Sequence, residues 1–300
     1  MSHKKRDWSK YNKSLINRGS LTFWIAPEIA NSWGAAVQEK RRGRPFTYAD
    51  TAIETTAIIR YVFNLTLRSC EGFLISLFKL LNLDLSVPSY SQVCKRMKNI
   101  ELPAHLLKGK AVRHVVMEAT GLKVFGEGEW KVKKHGVSQR RGWKKLHLAV
   151  DEETQEVLFA DLSTEYEADT KFIPEILQNR KGIEKLLMDG AGDNSWLYKL
   201  CFEEGVDLLT PPQKNARKHS EPWMRERNNR LLQILGLGGD KIAKSIWGKL
   251  SGYSKRVTVE SAIARWKRLY GGHLKSRSPA NQRFEVRIKA HILNKNLQLV

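Results

Sequence analysis

Between about His105 and Thr210 the chain sets three β-prone stretches in a row, Val112 to Met117, Lys144 to Val150 and Val157 to Leu162, before it begins to alternate helix with strand. Short apolar runs separated by turns or charged segments read as an antiparallel meander. A helix is then expected at about Thr170 to Asn179, a strand at Lys185 to Met188, a helix from about Asn194 to Glu204 and a strand at Val206 to Thr210. That order predicts an α/β domain on a mixed five-stranded sheet with helices.

The chain around this domain is basic and helical. Residues 1–45 read as a basic, aromatic arm ending in EKRRGRP, whose Arg41, Arg42 and Arg44 suit phosphates better than a core. The bland alternative is a solvated arm. Residues 46–104 carry helical patterns around Ile53 to Leu67 and Glu71 to Leu81, a break at Leu85 to Pro88, and Ser89 as N-cap of a short helix with Gln92, Lys95, Arg96 and Lys98. Helix, turn and short basic helix resemble a helix-turn-helix with Ser89 to Lys98 reading DNA, although a plain helical bundle reads much the same. Residues 211–252 form a basic insertion, partly helical at Glu221 to Ile234, in a domain taken to run over 105–300.

The stretch YSKRVTVESAIARWK, Tyr253 to Lys267, carries the most chemistry. At about 100° per residue, Tyr253, Arg256, Glu260 and Lys267 fall within roughly 60° of one another on a single helix. Val259, Ile263, Trp266 and Tyr270 form the adjacent apolar stripe that docks on a core. Read blandly, Arg256 and Glu260 are a surface pair at i and i+4.

The spacing Y-x2-R-x3-E-x6-K, with VVMEATGLKVFGEGEW (Val115 to Trp130), LLMDGAGDN (Leu186 to Asn194) and RIKAHILNKNLQL (Arg287 to Leu299), resembles bacterial insertion-sequence transposases of the DDE type, in the family conventionally numbered five. The resemblance covers nearly the whole chain. It implies an RNase H-like catalytic domain with Glu118, Asp189 and Glu260 as catalytic metal ligands. Two-metal phosphoryl chemistry needs carboxylates from separate elements to hold two Mg²⁺ ions, with Mn²⁺ as a possible substitute. The implied strand-end positions favour Asp189, before the small residues Gly190, Ala191 and Gly192, over a plain turn residue. Asp193 is expected to cap the helix beginning near Asn194.

Relatives place Asp at the first position, where this chain has Glu118, one methylene longer. A catalytically impaired copy, acting only as a DNA-binding protein or repressor, is therefore the alternative. A nuclease that cuts without joining strands is a third reading, disfavoured by the Tyr253 to Lys267 motif. The resemblance also implies that Tyr253, Arg256 and Lys267 grip the cleaved strand, and that a homodimer pairs terminal inverted repeats and joins them to target DNA. Trp130, Trp143 and Trp266 are candidates to stack on an unpaired base. Trp266 lies on the apolar stripe and is assigned to the core, and Glu127 and Glu129 are expected to be exposed.

Charge agrees with a double-stranded DNA partner: 52 Lys+Arg against 31 Asp+Glu give a formal net charge of +21. A membrane is disfavoured, because the apolar runs Ala57 to Leu67 and Phe73 to Leu83 are broken by Arg60 and Lys79 and fall short of a span. The N-terminus lacks the apolar stretch of a secretory signal, and Cys70, Cys94 and Cys201 are scattered, so a reducing cytoplasm, with the protein associated with the nucleoid, is expected. The dispersed His residues argue against zinc.

Overall fold

A computed structural model describes residues 7–25, 27–34, 45–100, 102, 112–124, 142–180 and 182–299. By contact the chain divides into two compact units, residues 103–274 and a unit built from 1–102 together with 275–300.

The second of these begins with α1 (Trp8–Asn17) and α2 (Leu21–Trp24), followed by α3 (Asp50–Val62), α4 (Leu67–Leu80) and α5 (Tyr90–Arg96). Around α1 and α2 the bland alternative of a solvated arm does not hold. Trp24 and Trp33 are each 2% exposed, and their indole N–H groups donate to the Arg18 and Ser86 carbonyls at 2.8 and 2.7 Å. Burying two indoles whose N–H groups are both satisfied outweighs the basic composition that suggested solvation. Arg41, Arg42 and Arg44 lie outside the described residues. Ser89 caps α5 as expected and forms a capping box with Gln92.

The sheet unit places β1 (His114–Val124) antiparallel to β2 (Trp143–Asp151), which pairs antiparallel with β3 (Val157–Thr164). After α6 (Ile173–Asn179), strand β4 (Lys185–Leu187) lies parallel on the other side of β1; after α7 (Ser195–Glu203), β5 (Asp207–Leu209) lies parallel to β4. The order β3-β2-β1-β4-β5, an antiparallel half joined to a parallel half through the first strand, is RNase H-like. The insertion folds as two helices, α8 (Arg225–Gly236) and α9 (Lys241–Leu250), followed by α10 (Val257–Tyr270) and a sixth, two-residue strand β6 (His273–Leu274) against the far end of β1.

Strand alternation sends the two faces of this sheet to different tasks. Val115, Met117, Leu186, Met188 and Leu208 pack with Ile173, Ile176, Leu177, Leu197 and Cys201 from α6 and α7 in one core. Each such large apolar side chain contributes about 1.5–3 kcal/mol by leaving water. Residues of the opposite parity, Glu118 among them, belong to the other face, and α10 packs across β1 and β2.

Last comes α11 (Pro279–Gln298), which packs on α3. By contact it is grouped with the N-terminal helices. Its burial on several sides, including Phe284, Val286, Ile288, Ala290 and Ile292, demands neighbours all round. The buried Glu285 carboxylate accepts the Lys289 ammonium at 2.6 Å and the backbone N–H groups of Lys275 and Ser276 at 2.9 and 2.8 Å, which offsets the cost of removing the charge from water.

Candidate active site

Parallel pairing of β1 with β4 aligns Val116 with Leu187. Two residues further along the same register are Glu118 and Asp189. β4 ends at Leu187, so Asp189 enters a tight turn, Gly190–Gly192, at the point where β1 continues. The sequence reading placed Glu118 at a strand end, but β1 runs on to Val124 and Glu118 lies within it. Gly121 permits that extension, since a Cβ there would sit 3.1 Å from the Trp143 ring. Trp143 thus packs against its neighbouring strand. Trp266 is 1% exposed, within the core as expected, while Glu127, Glu129 and Trp130 lie outside the described residues.

The third carboxylate comes from α10. That helix is shorter than the sequence reading made it: Tyr253–Arg256 is a 3-10 turn entered through Gly252 at φ 80°, and the α-helix starts at Val257. Glycine meets that left-handed φ without strain. The tighter turn still leaves Arg256 in reach of the sheet. Its guanidinium bridges the other two elements, with Nη1 lying 3.2 Å from Glu118 Oε1 and Nη2 donating to Glu260 Oε1.

Electrostatics follow from this bridge. Burial raises the Glu118 carboxyl above its usual range, Arg256 opposes the rise, and the negative charges of Glu260 and Asp189 add to it. Arg256 is itself shifted by burial, which favours the neutral form, but Tyr253, Glu118 and Glu260 outweigh that and raise it. Burial also raises the Tyr253 phenol, against a lowering by Arg256, so it stays a neutral donor. The Tyr253 ring lies 5.6 Å from the Trp247 ring and 6.0 Å from the Arg256 guanidinium carbon. Five residues expected at the site, Glu118, Asp189, Tyr253, Arg256 and Glu260, are thus electrostatically coupled. Lys267 is exposed on the last turn of α10.

The donor set suits a hard divalent cation, since it offers carboxylate oxygens, and Glu118 Oε2 is buried without a hydrogen bond. Yet among the described residues no three His, Cys, Asp or Glu side chains stand close enough together to hold a metal ion. The Arg256 guanidinium supplies a positive charge between Glu118 and Glu260. Asp189 meanwhile commits one carboxylate oxygen to the Ala191 N–H at 3.0 Å.

In the helical unit, Gln92 and Lys95 are exposed on α5. Arg96 faces inward, bonding Asp50 at 2.5 Å and the Tyr48 carbonyl, with its guanidinium carbon 4.3 Å from the Phe46 ring centroid. Sequence reasoning missed Asp193: Asn194, not Asp193, caps α7 by accepting from Leu197 N–H, and Asp193 is instead 6% exposed and paired with Arg227.

Among solved structures, the catalytic core domain of BIV integrase is 17% identical and matches over 45% of this chain and 80% of that one with a TM-score of 0.22, a superposition too poor to add to the strand order. No helix among the described residues is long and apolar enough to cross a membrane. Residues 16–127 match one family profile described as a transposase DDE domain, and residues 110–295, more than half of the chain, match a second with the same description. With a family match of that extent lying over an RNase H-like sheet and its acidic residues, the chain belongs to the DDE transposases, enzymes that act on DNA with divalent metal ions.

Proposed function

We propose that this transposase is a member of insertion-sequence family five and works in the cytoplasm on nucleoid DNA as an end-bound homodimer, recognising terminal inverted repeats, exposing a 3′-hydroxyl and joining it to target DNA. The observation that supports the reading is Arg256 lying between Glu118 of β1 and Glu260 of α10, with Asp189 at the end of β4 close enough to Glu118 to shift its carboxyl. With two Mg²⁺ ions bound, the site would gain an activated attacking oxygen and a stabilised leaving oxygen. Glu118, Asp189 and Glu260 are the residues that would hold them. Tyr253 offers a neutral phenol to a phosphate oxygen, Arg256 a fork and Lys267 a mobile charge. Gln92 and Lys95 are assigned to base and phosphate contacts, with the Arg41, Arg42 and Arg44 run adding phosphate contacts. Arg96 is reassigned from DNA to holding α5 against Asp50 and Tyr48. The experiment is incubation of the full chain with a terminal-repeat duplex in Mg²⁺ or Mn²⁺. Nicks at the repeat end that leave a 3′-hydroxyl are expected; binding with no nick in either ion would favour the repressor reading motivated by Glu118.

On this account Arg256 has two partners in turn, the carboxylates before DNA arrives and a strand phosphate afterwards. Removing its charge should let the DNA-free protein bind Mn²⁺ about tenfold more tightly, a modest share of the Coulomb energy because the pair is partly exposed. End binding should weaken at the same time. Calorimetric Mn²⁺ titration of Arg256→Gln without DNA measures this, and affinity equal to the parent's would remove Arg256 as the competing cation.

A further inference from the structure

The turn that carries Asp189 is closed by its own backbone, with Gly192 N–H donating to the Asp189 carbonyl at 3.0 Å and Asp193 N–H to the Gly190 carbonyl at 3.2 Å, and its place in the fold is set by side chains at its ends. An added Cβ at Gly190 would meet nothing within 4 Å, whereas one at Gly192 would crowd Met188 at 3.2 Å. Ala191 is exposed. Asn194 donates its side-chain amide to the Ala191 carbonyl at 3.1 Å, and the acids at the two ends add further anchors. Asp189 receives the Ala191 N–H, and its carbonyl accepts the Thr210 hydroxyl. Asp193 is bound more fully: its Oδ1 accepts Arg227 Nε at 2.5 Å, while Oδ2 accepts Arg227 Nη2 at 3.2 Å and the Gln213 N–H at 2.7 Å. Arg227 gives its remaining nitrogen, Nη1, to the Arg217 carbonyl at 2.8 Å. The two side chains are 1% and 6% exposed.

A buried ion pair is a weak source of stability, because desolvation consumes most of its attraction and well-packed apolar residues often serve as well. What this pair supplies is geometry. It fastens α8, within the insertion, to the far end of the Asp189 turn through a fork that tolerates little rotation. We infer that Asp193 and Arg227 are positioning residues for the metal site, fixing where the Asp189 carboxylate stands, and that the insertion takes part in catalysis through them. This inference rests on reading Asp189 as a metal ligand.

The test uses the full chain bound to a terminal-repeat duplex and reads Mn²⁺ binding from the paramagnetic signal of the free ion, together with single-turnover nicking as a function of ion concentration. Asp193→Asn removes the charge with little change of shape, and Arg227→Lys keeps the charge but loses the fork. Partners one step behind a ligand commonly cost about 10- to 100-fold in metal affinity or activity. Both variants should therefore need about tenfold or more Mn²⁺ for half-saturation, with affinity for the DNA end in EDTA unchanged. If Asp193→Asn fails to fold, Arg227→Lys decides alone. Should the folded variants show the parent's Mn²⁺ curve, the pair is merely structural and the inference is overturned. Asp189→Ala separates the two failures. Parent-like Mn²⁺ binding by that variant sinks the site reading itself, while lost binding there alongside parent-like curves for the pair variants sinks this inference alone.

Discussion

Replacing Asp189 or Glu260 with alanine should lower metal-dependent strand cleavage by more than about a hundredfold, beyond the cost of losing a group that only supports a ligand. Asp189 follows the end of β4 in the register of Glu118, and Glu260 projects from the first turn of α10 toward the Arg256 guanidinium that also faces Glu118. Neither is expected to help hold DNA when metal is absent, because a carboxylate repels phosphate unless a cation stands between them. End binding in EDTA should accordingly stay near the parent's level or rise slightly. Single-turnover nicking and mobility shifts on the same preparations measure both quantities. Cleavage by either variant at the parent's rate in Mg²⁺ would show that its carboxylate is no ligand.

Glu118→Asp is expected to act in the opposite direction and raise the cleavage rate. Glu118 reaches 3.2 Å from Arg256 through a side chain one methylene longer than aspartate. Shortening it by about 1.5 Å withdraws the carboxylate from the guanidinium. Both consequences favour metal: the competing cation loses a partner, and the ligand stands where DDE enzymes place it. Misplacement of a reacting group on the order of 1 Å can cost about a hundredfold in rate, which sets the ceiling of the gain. Mn²⁺, with looser geometric demands than Mg²⁺, should narrow the gap by rescuing the parent. A parent as fast as Glu118→Asp in Mg²⁺ would make Glu118 a competent ligand and leave the repressor reading without its motive.

The sheet was legible because strand period and turn residues are local signals, and all five expected strands form near their expected positions. The length of β1 was not, since Ala119–Leu122 reads as a poor strand until Trp143 is seen lying over Gly121. Helix α9 was also missed. Its Asp240 cap, which accepts the Ala243 N–H at 2.7 Å, and its buried Ala243 and Trp247 follow the glycine-rich run Gly236 to Gly239, and the lysines within the helix dilute its period. At the site, the Arg256 to Glu260 pairing followed from an i, i+4 spacing. Its second partner, Glu118, did not, because only the fold brings β1 to that helix. The same holds for Asp193 and Arg227, and for α11, whose neighbours lie at the other end of the chain.

The central claim is that Glu118, Asp189 and Glu260 surround one divalent-metal site, and metal-directed backbone cleavage tests it most directly. Fe²⁺ loaded onto the end-bound full chain, then exposed to ascorbate and peroxide, generates hydroxyl radicals at the ion and cuts the polypeptide beside it. Fragments ending near residues 118, 189 and 260 are predicted, all suppressed by excess Mg²⁺. Cuts confined to other segments, or cuts at these three that excess Mg²⁺ leaves untouched, would contradict it.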